Sequence, residues 1–157
     1  MIALMTASRT RPLRSFTILA ARVVLGVLFI RMGLHKALNP ADFLKTIHQY
    51  GWFERSVVLT WIAALLPWFE VFCGILLVVG LRVRGAAIVI LGMLIFFSAL
   101  VLQRALHLHQ TSGMPFCAIR FDCGCGNGEV VICRKLVENL LLMGLSLVSL
   151  LGRRPSA

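Results

Sequence analysis

Long apolar runs recur four times along this chain, separated by short polar segments. Each run reaches the roughly 18 residues that a helix needs to cross the hydrocarbon core of a bilayer. Helices are the predicted element because they satisfy their own backbone hydrogen bonds in lipid, and the alternating strands of a β-barrel do not occur. The expected fold is all-α, a bundle of four transmembrane helices forming one membrane domain over residues 1–157. The predicted spans lie at about 16–38, 57–79, 85–106 and 133–151.

The connection between the first two spans carries a helical pattern of its own. Residues 39–42 read Asn-Pro-Ala-Asp, a helix-start signature, and Phe43, Ile47 and Tyr50 then recur at helical spacing. Residues from about 41 to 53 are therefore expected to form a short amphipathic helix at the membrane interface, with an ordinary polar loop as the alternative. The aromatic residues expected at headgroup depth are Tyr50, Trp52 and Phe53.

Composition agrees with a membrane protein and argues against a nucleic-acid-binding one. Hydrophobic residues make up 59% of the chain and charged residues 14%, whereas soluble domains are roughly 45–50% apolar. The formal net charge is +10, but the basic residues stand at the ends of apolar runs, where they suit anionic headgroups. They form no basic patch interleaved with aromatic residues. The lipid bilayer is the expected partner, and no nucleic acid is.

Basic residues also bear on orientation through the positive-inside rule. The two sides carry equal numbers of them, but the side with both termini has no acidic residue among its arginines. We therefore expect both termini in the cytoplasm of a bacterial inner membrane and the cysteine-rich loop outside, where thiols can pair. The first run is kept as a span because it is longer than a signal-peptide core and no small-residue cleavage site ends it.

Charged residues inside the predicted spans need partners, because each costs about 2.5 kcal/mol or more at mid-membrane. At helical spacing, Arg22 and Lys36 share one face of the first span with two glycines, and Glu70 lies on a glycine-containing face of the second. In an antiparallel pair Glu70 would lie within about 4.5 Å of the level of Arg22, which predicts an Arg22–Glu70 ion pair. Such a pair either fixes helix packing or forms a polar pocket for a substrate, a quinone or protons.

Four cysteines lie in or beside the predicted loop at 107–132. Cys123 and Cys125 are one residue apart, so a bridge between them would close a small, strained and readily exchanged ring. Cys117 and Cys133 are free to pair with either, and three full connectivities are possible. Structural disulfides, thiol exchange and a metal site all stay open, but the one-residue gap lacks the spacing of a zinc knuckle, so no metal ligands are assigned.

Four motifs follow one another along the chain: 21–26 (Ala-Arg-Val-Val-Leu-Gly), 32–36 (Met-Gly-Leu-His-Lys), 66–70 (Leu-Pro-Trp-Phe-Glu) and 123–126 (Cys-Gly-Cys-Gly). Their order, spacing and placement resemble the DoxX/MauE superfamily of small four-helix membrane proteins, over most of residues 16–150. The chain is most similar to the MauE branch, because the Cys-Gly-Cys-Gly motif stands between the third and fourth spans.

The resemblance implies a role in methylamine utilisation, in which the protein helps to mature a disulfide-rich periplasmic dehydrogenase. It implies a thioredoxin-like protein or the dehydrogenase as a periplasmic partner, and a quinone as the one candidate cofactor. The residues that it marks are Arg22, Lys36, Pro67, Glu70, Cys123 and Cys125, with Asn139 in the last span.

Two main hypotheses follow. In the first, the protein performs thiol–disulfide exchange or electron transfer, with Cys123 and Cys125 exchanging and Cys117 and Cys133 resolving or stapling. In the second, it is a non-catalytic accessory subunit packed into a larger respiratory or photosynthetic membrane complex, and its disulfides only staple the loop. Transport of a small solute through the polar region of the bundle is a third hypothesis.

Overall fold

Helices make up most of the computed structural model, which describes residues 2–49, 56–123 and 128–152. The expected all-α fold is confirmed. The helices are α1 (Ile2–Leu38), α2 (Pro40–Gln49), α3 (Ser56–Val79), α4 (Val83–Ser112) and α5 (Ile132–Leu151). Between α4 and α5 lie a 3₁₀ turn (Phe116–Ala118) and two antiparallel strands, β1 (Arg120–Asp122) and β2 (Glu129–Val131).

Three of these helices are long and apolar enough to cross a membrane, as predicted. Their apolar segments are Phe16–Leu38, Thr60–Val79 and Val83–Ser112. α5 is 20 residues long, but Arg134, Lys135 and Glu138 place charges in its first two turns. Its crossing of the bilayer therefore stays a prediction.

α1 and α3 run antiparallel with their backbones in contact at glycines. A Cβ atom added at Gly26 would lie 2.8 Å from the carbonyl oxygen of Gly74, and one added at Gly33 would lie 2.6 Å from that of Pro67. Small residues allow membrane helices to approach this closely. Gly26 thus faces Gly74 and Gly33 faces Pro67, and these contacts fix the register of the two helices.

α5 completes the bundle by packing along α4 and α1. Two hydrogen bonds hold it to α4: Ser146 Oγ donates to the carbonyl oxygen of Ala87 at 2.8 Å, and Asn139 Nδ2 donates to Ser98 Oγ at 2.9 Å. Polar side chains commonly join membrane helices in this way. The fully buried apolar core beside these contacts includes Leu25, Leu77 and Ile90.

α2 is an amphipathic helix that follows α1 after a short break at Asn39. Phe43 and Thr46 are buried, whereas Asp42 and Lys45 on the opposite face are exposed. The buried face packs toward α3. The interfacial position of α2 stays a prediction, and the aromatic residues assigned to headgroup depth, Tyr50, Trp52 and Phe53, lie outside the described residues.

The segment predicted as a loop at 107–132 contains regular structure instead. α4 continues to Ser112 because residues 93–112 contain neither glycine nor proline. Gly113, with a φ of +65°, ends the helix and donates its N–H to the carbonyl oxygen of His109. β1 and β2 then pair Phe121 with Val130. The sequence pattern gave no indication of this hairpin, because each strand has only three residues.

Candidate functional site

A buried ion pair joins α1 to α3. Lys36 Nζ donates to both carboxylate oxygens of Glu70, at 2.6 Å to Oε1 and 2.9 Å to Oε2. The two residues are only 5% and 6% exposed. Neither charge is tolerable alone in an apolar bundle, so each one depends on the other. Lys36 and Glu70 form the charged centre of the candidate site.

The predicted Arg22–Glu70 ion pair is wrong, because Lys36 holds the carboxylate. In the register set by the glycine contacts, Arg22 lies near the far end of α3, where a Cβ atom on Gly80 would be 3.2 Å from its Nη2 atom. Helical side chains tilt toward the N-terminus of their own helix. In this antiparallel pair the tilt brings Lys36 and Glu70 toward each other.

A cavity of about 320 Å³ lies beside the ion pair and is lined from all five helices. Most of its wall is apolar, with aromatic side chains from Phe29, Phe43, Phe96 and Phe97. The polar side chains that reach the wall are Lys36, Thr46, Glu70 and Asn139. An apolar cavity with a few convergent polar groups is typical of a small-molecule site.

Two aromatic rings flank the Lys36 ammonium. Lys36 Nζ lies 5.2 Å from the ring centroid of Phe43 and 5.8 Å from that of Phe97, within the range of cation–π attraction. Phe43 belongs to α2, so the amphipathic helix supplies part of the site. Sequence reasoning missed this role, although the apolar face that carries Phe43 was visible in the helical spacing.

Asn139 enters the cavity from α5 and is 1% exposed. Its amide donates one hydrogen bond to Ser98 Oγ, which orients the group beside the ion pair. The structure thus brings Asn139 together with Lys36 and Glu70, but it leaves Arg22 outside the cavity lining. Ser98 was missed as a supporting residue, and its only signal was a hydroxyl within the apolar run of α4.

One disulfide is outside the cavity and ties the connecting segment to α5. It joins Cys117 in the 3₁₀ turn to Cys133 in the first turn of the helix. Cys73, the fifth cysteine, is free and buried within α3. The stapling role considered for Cys117 and Cys133 therefore has a structural basis.

Cys123 lies inside the bundle, although it belongs to the segment that was predicted to form an external loop. The residue is fully buried, packs with Val101 and Met32, and lines the cavity. Its sulfur is disulfide-bonded. β1 carries it inward because Ile119, just before the strand, anchors the segment in a second apolar cluster. Cys125 lies outside the described residues.

The site therefore consists of an ion pair, an amide and a disulfide sulfur around one apolar cavity. Within the three described stretches of the chain, no group of three or more His, Cys, Asp or Glu side chains is placed to hold a metal ion. The groups that the site offers to a ligand are two opposite charges, a hydrogen-bonding amide and a disulfide sulfur.

Comparison with known proteins identifies the family of this sequence. No match was found among curated proteins or among solved structures. The family described as "Methylamine utilisation protein MauE" matches residues 14–152. The match includes the ion pair, the cavity and the cysteine-bearing segment, and it extends over most of the chain. This sequence therefore belongs to the MauE family.

Proposed function

We propose that this MauE-family protein is a redox-associated membrane protein that performs thiol–disulfide exchange, or electron transfer through thiols, to support maturation of a periplasmic enzyme. One observation carries the proposal. The disulfide-bonded Cys123 lies on the wall of the cavity that also holds the buried Lys36–Glu70 ion pair. A disulfide that only stapled a loop would require neither the cavity nor the charges.

The ion pair suits sulfur chemistry in an apolar place. Exchange proceeds through a thiolate, and opening the disulfide of Cys123 leaves negative charge on sulfur. The Lys36 ammonium offers a positive charge in the same cavity, and the Glu70 carboxylate offers a proton acceptor. Both groups are held by helix packing before any reaction takes place, so little reorganisation is needed.

The two kinds of cysteine have separate roles in this proposal. Cys123 and Cys125 form the exchanging pair, whereas Cys117 and Cys133 hold the hairpin against α5. The staple keeps Cys123 at the cavity when its own disulfide opens. A soluble partner attacks the other sulfur of that disulfide, because Cys123 itself is fully buried.

The family description supports a place in methylamine utilisation. We propose a periplasmic dehydrogenase or a thioredoxin-like protein as the partner, and a bacterial inner membrane with both termini in the cytoplasm. If α5 is the fourth span, the segment between α4 and α5 then faces the periplasm. A wider relationship to DoxX proteins stays a prediction.

The test compares Cys123→Ser with Cys73→Ala in the full chain in detergent. Cys73 is also buried but is free, so its variant controls for the loss of a buried sulfur. Each protein is mixed with the reduced subunit of a periplasmic methylamine dehydrogenase, and thiols are tagged after denaturation. We expect disulfide formation with the wild type and with Cys73→Ala, and none with Cys123→Ser.

An unchanged rate in Cys123→Ser, with native helix content, overturns the exchange proposal. If that variant instead keeps all thiol chemistry but fails to co-purify with a larger membrane complex on native gels, the non-catalytic accessory subunit is the better account. Circular dichroism of each variant establishes that it is folded.

A further inference from the structure

The side of the cavity between α3 and α4, which we call its mouth, includes a residue that is exposed on the outer surface of the bundle. Ile62 and Leu66 line it from α3, and Met93 and Phe96 line it from α4. The Phe96 side chain is 55% exposed, so this part of the wall is continuous with the outside of the bundle. Both helices are of membrane-spanning type, and their outer surface faces lipid. A ligand from the bilayer can therefore reach the cavity without passing through water.

The inner end of the cavity offers hydrogen bonds. An ammonium has three N–H donors. Among the described residues, Glu70 accepts two of those of Lys36, which leaves the third for a ligand oxygen. Asn139 adds an amide on the α5 side. The ligand that fits is thus apolar over most of its surface and carries a hydrogen-bond acceptor at one end.

Cys123 makes this a redox cavity. Cys123 lines the cavity and is fully buried. We infer that a ligand inside the cavity can reach its sulfur, whereas a soluble protein cannot. A reactant that meets this sulfur from the membrane side must be lipid-soluble. To regenerate a disulfide it must also accept two electrons and two protons.

We propose that the cavity binds the ring of a lipid-soluble quinone, which takes two electrons from the thiol pair formed when the disulfide of Cys123 has been reduced. The proposal rests on the function proposed above and names its electron acceptor. A quinone is flat enough to lie among the aromatic side chains, and its carbonyl oxygen accepts a hydrogen bond from Lys36. The volume of about 320 Å³ accommodates a ring, while an isoprenoid tail extends through the mouth into lipid.

The reaction balances without a further reactant. The two S–H bonds break, one S–S bond forms, and the thiols release two electrons and two protons. Each quinone carbonyl takes up one electron and one proton and becomes a hydroxyl group of the quinol. The thiols of the periplasmic partner supply the electrons that reduce the disulfide again.

The experiment uses the full chain in detergent, reduced and freed of excess reductant under anaerobic conditions. Short-chain ubiquinone is added as the probe. Quinol formation is followed by absorbance, and the remaining thiols are tagged after denaturation. We expect quinol in an amount equal to the disulfide formed, with no such reaction in Cys123→Ser.

Two matched pairs of variants locate the reaction in the cavity. Met93→Trp fills the lining, whereas Ile95→Trp puts the same side chain on the exposed face of α4. Leu100→Trp and Leu102→Trp form a second pair of the same kind. We expect the cavity variants to reduce quinone at least about tenfold more slowly, the equivalent of about 1.4 kcal/mol, and the exposed variants to match the wild type.

Equal rates in all four folded variants would place quinone reduction elsewhere and overturn the proposal. Absence of quinol from the wild type, with disulfide exchange toward the dehydrogenase subunit intact, would overturn the quinone site and leave the proposed function standing. Loss of that exchange in the wild type would remove the proposed function itself.

Discussion

Lys36 and Glu70 are joined across two helices by two hydrogen bonds from a single ammonium, 2.6 and 2.9 Å long. The pair lies next to the place where α1 and α3 touch through their backbones, since Gly33 contacts Pro67 and is flanked by Glu70. The apolar packing of the helices therefore positions the charges. A shift of either helix by one turn, about 5.4 Å, would separate the two charged groups.

Removing one member of the ion pair should destabilise the protein more than removing both. Lys36→Met or Glu70→Leu alone leaves a buried charge without a partner, and we expect a loss of about 3–5 kcal/mol. The double variant removes both charges and should recover most of that loss. Denaturant unfolding in detergent measures all three variants.

Arg22 provides the control for this double-mutant cycle of Lys36 and Glu70. Arg22→Met combined with Glu70→Leu should show a coupling energy within about 0.5 kcal/mol of zero, because the two residues share no contact. A coupling as large as that of Lys36 with Glu70 would contradict the observed partner.

Backbone contact between α1 and α3 makes Gly74 intolerant of a methyl group. In Gly74→Ala the added carbon would lie 2.7 Å from the carbonyl oxygen of Gly26 and 2.8 Å from Ile30 Cγ1, so we expect a loss of about 1–3 kcal/mol in unfolding free energy. Gly144→Ala is the matched control, because nothing lies within 4 Å of its added carbon. It should be neutral or stabilising by up to about 1 kcal/mol. Equal effects of the two substitutions would rule out a close α1–α3 contact.

Mutation should distinguish the structural role of the Cys117–Cys133 disulfide from the exchange role proposed for the Cys123 disulfide. Replacing Cys117 and Cys133 together by Ser opens a loop with a sequence separation of 16 residues and should cost about 3 kcal/mol of stability. Disulfide exchange should survive in this variant at low temperature, although more slowly, because the Cys123 disulfide is retained but its segment is no longer held against α5. Complete loss of exchange in the folded variant would show that Cys117 and Cys133 take part in the chemistry.

The proposed topology predicts which thiols an impermeant maleimide can reach in intact cells. A chain that keeps only Cys117, which is exposed, should be labelled from the periplasm. Arg84→Cys in a background without other cysteines places a thiol on the exposed end of α4 at the opposite side of the bundle. It should be labelled only after the inner membrane is opened. The reverse pattern would invert the orientation and remove the oxidising setting that the exchange requires.

The features that were predictable from sequence are those set by local pattern. The apolar runs at 16–38, 57–79 and 85–106 fall within helices, because hydropathy over about 18 residues is a local property. The ion-pair partner was not predictable in this way. Arg22 and Lys36 occupy the same face of α1, and only the glycine contacts with α3 decide which of them is level with Glu70.

The position of Cys123 required tertiary information for a similar reason. A hairpin of three-residue strands has no recognisable periodicity, and its inward direction comes from Ile119 and Phe121 packing on α4 and α5. The contribution of Phe43 to the cavity likewise depends on where α2 folds back. Sequence supplied the residue types of the site, but the pairing among them came from the packing.

The seclusion of Cys123 affects how the oxidation state of this protein should be assayed. A water-soluble alkylating reagent applied to the native protein will miss a thiol with no exposed surface, and a reduced molecule would then be scored as oxidised. Lipophilic reagents, or quenching in acid followed by alkylation in denaturant, report the true redox state. Titrations of the native protein with charged reagents will instead count only the thiols that are exposed to water.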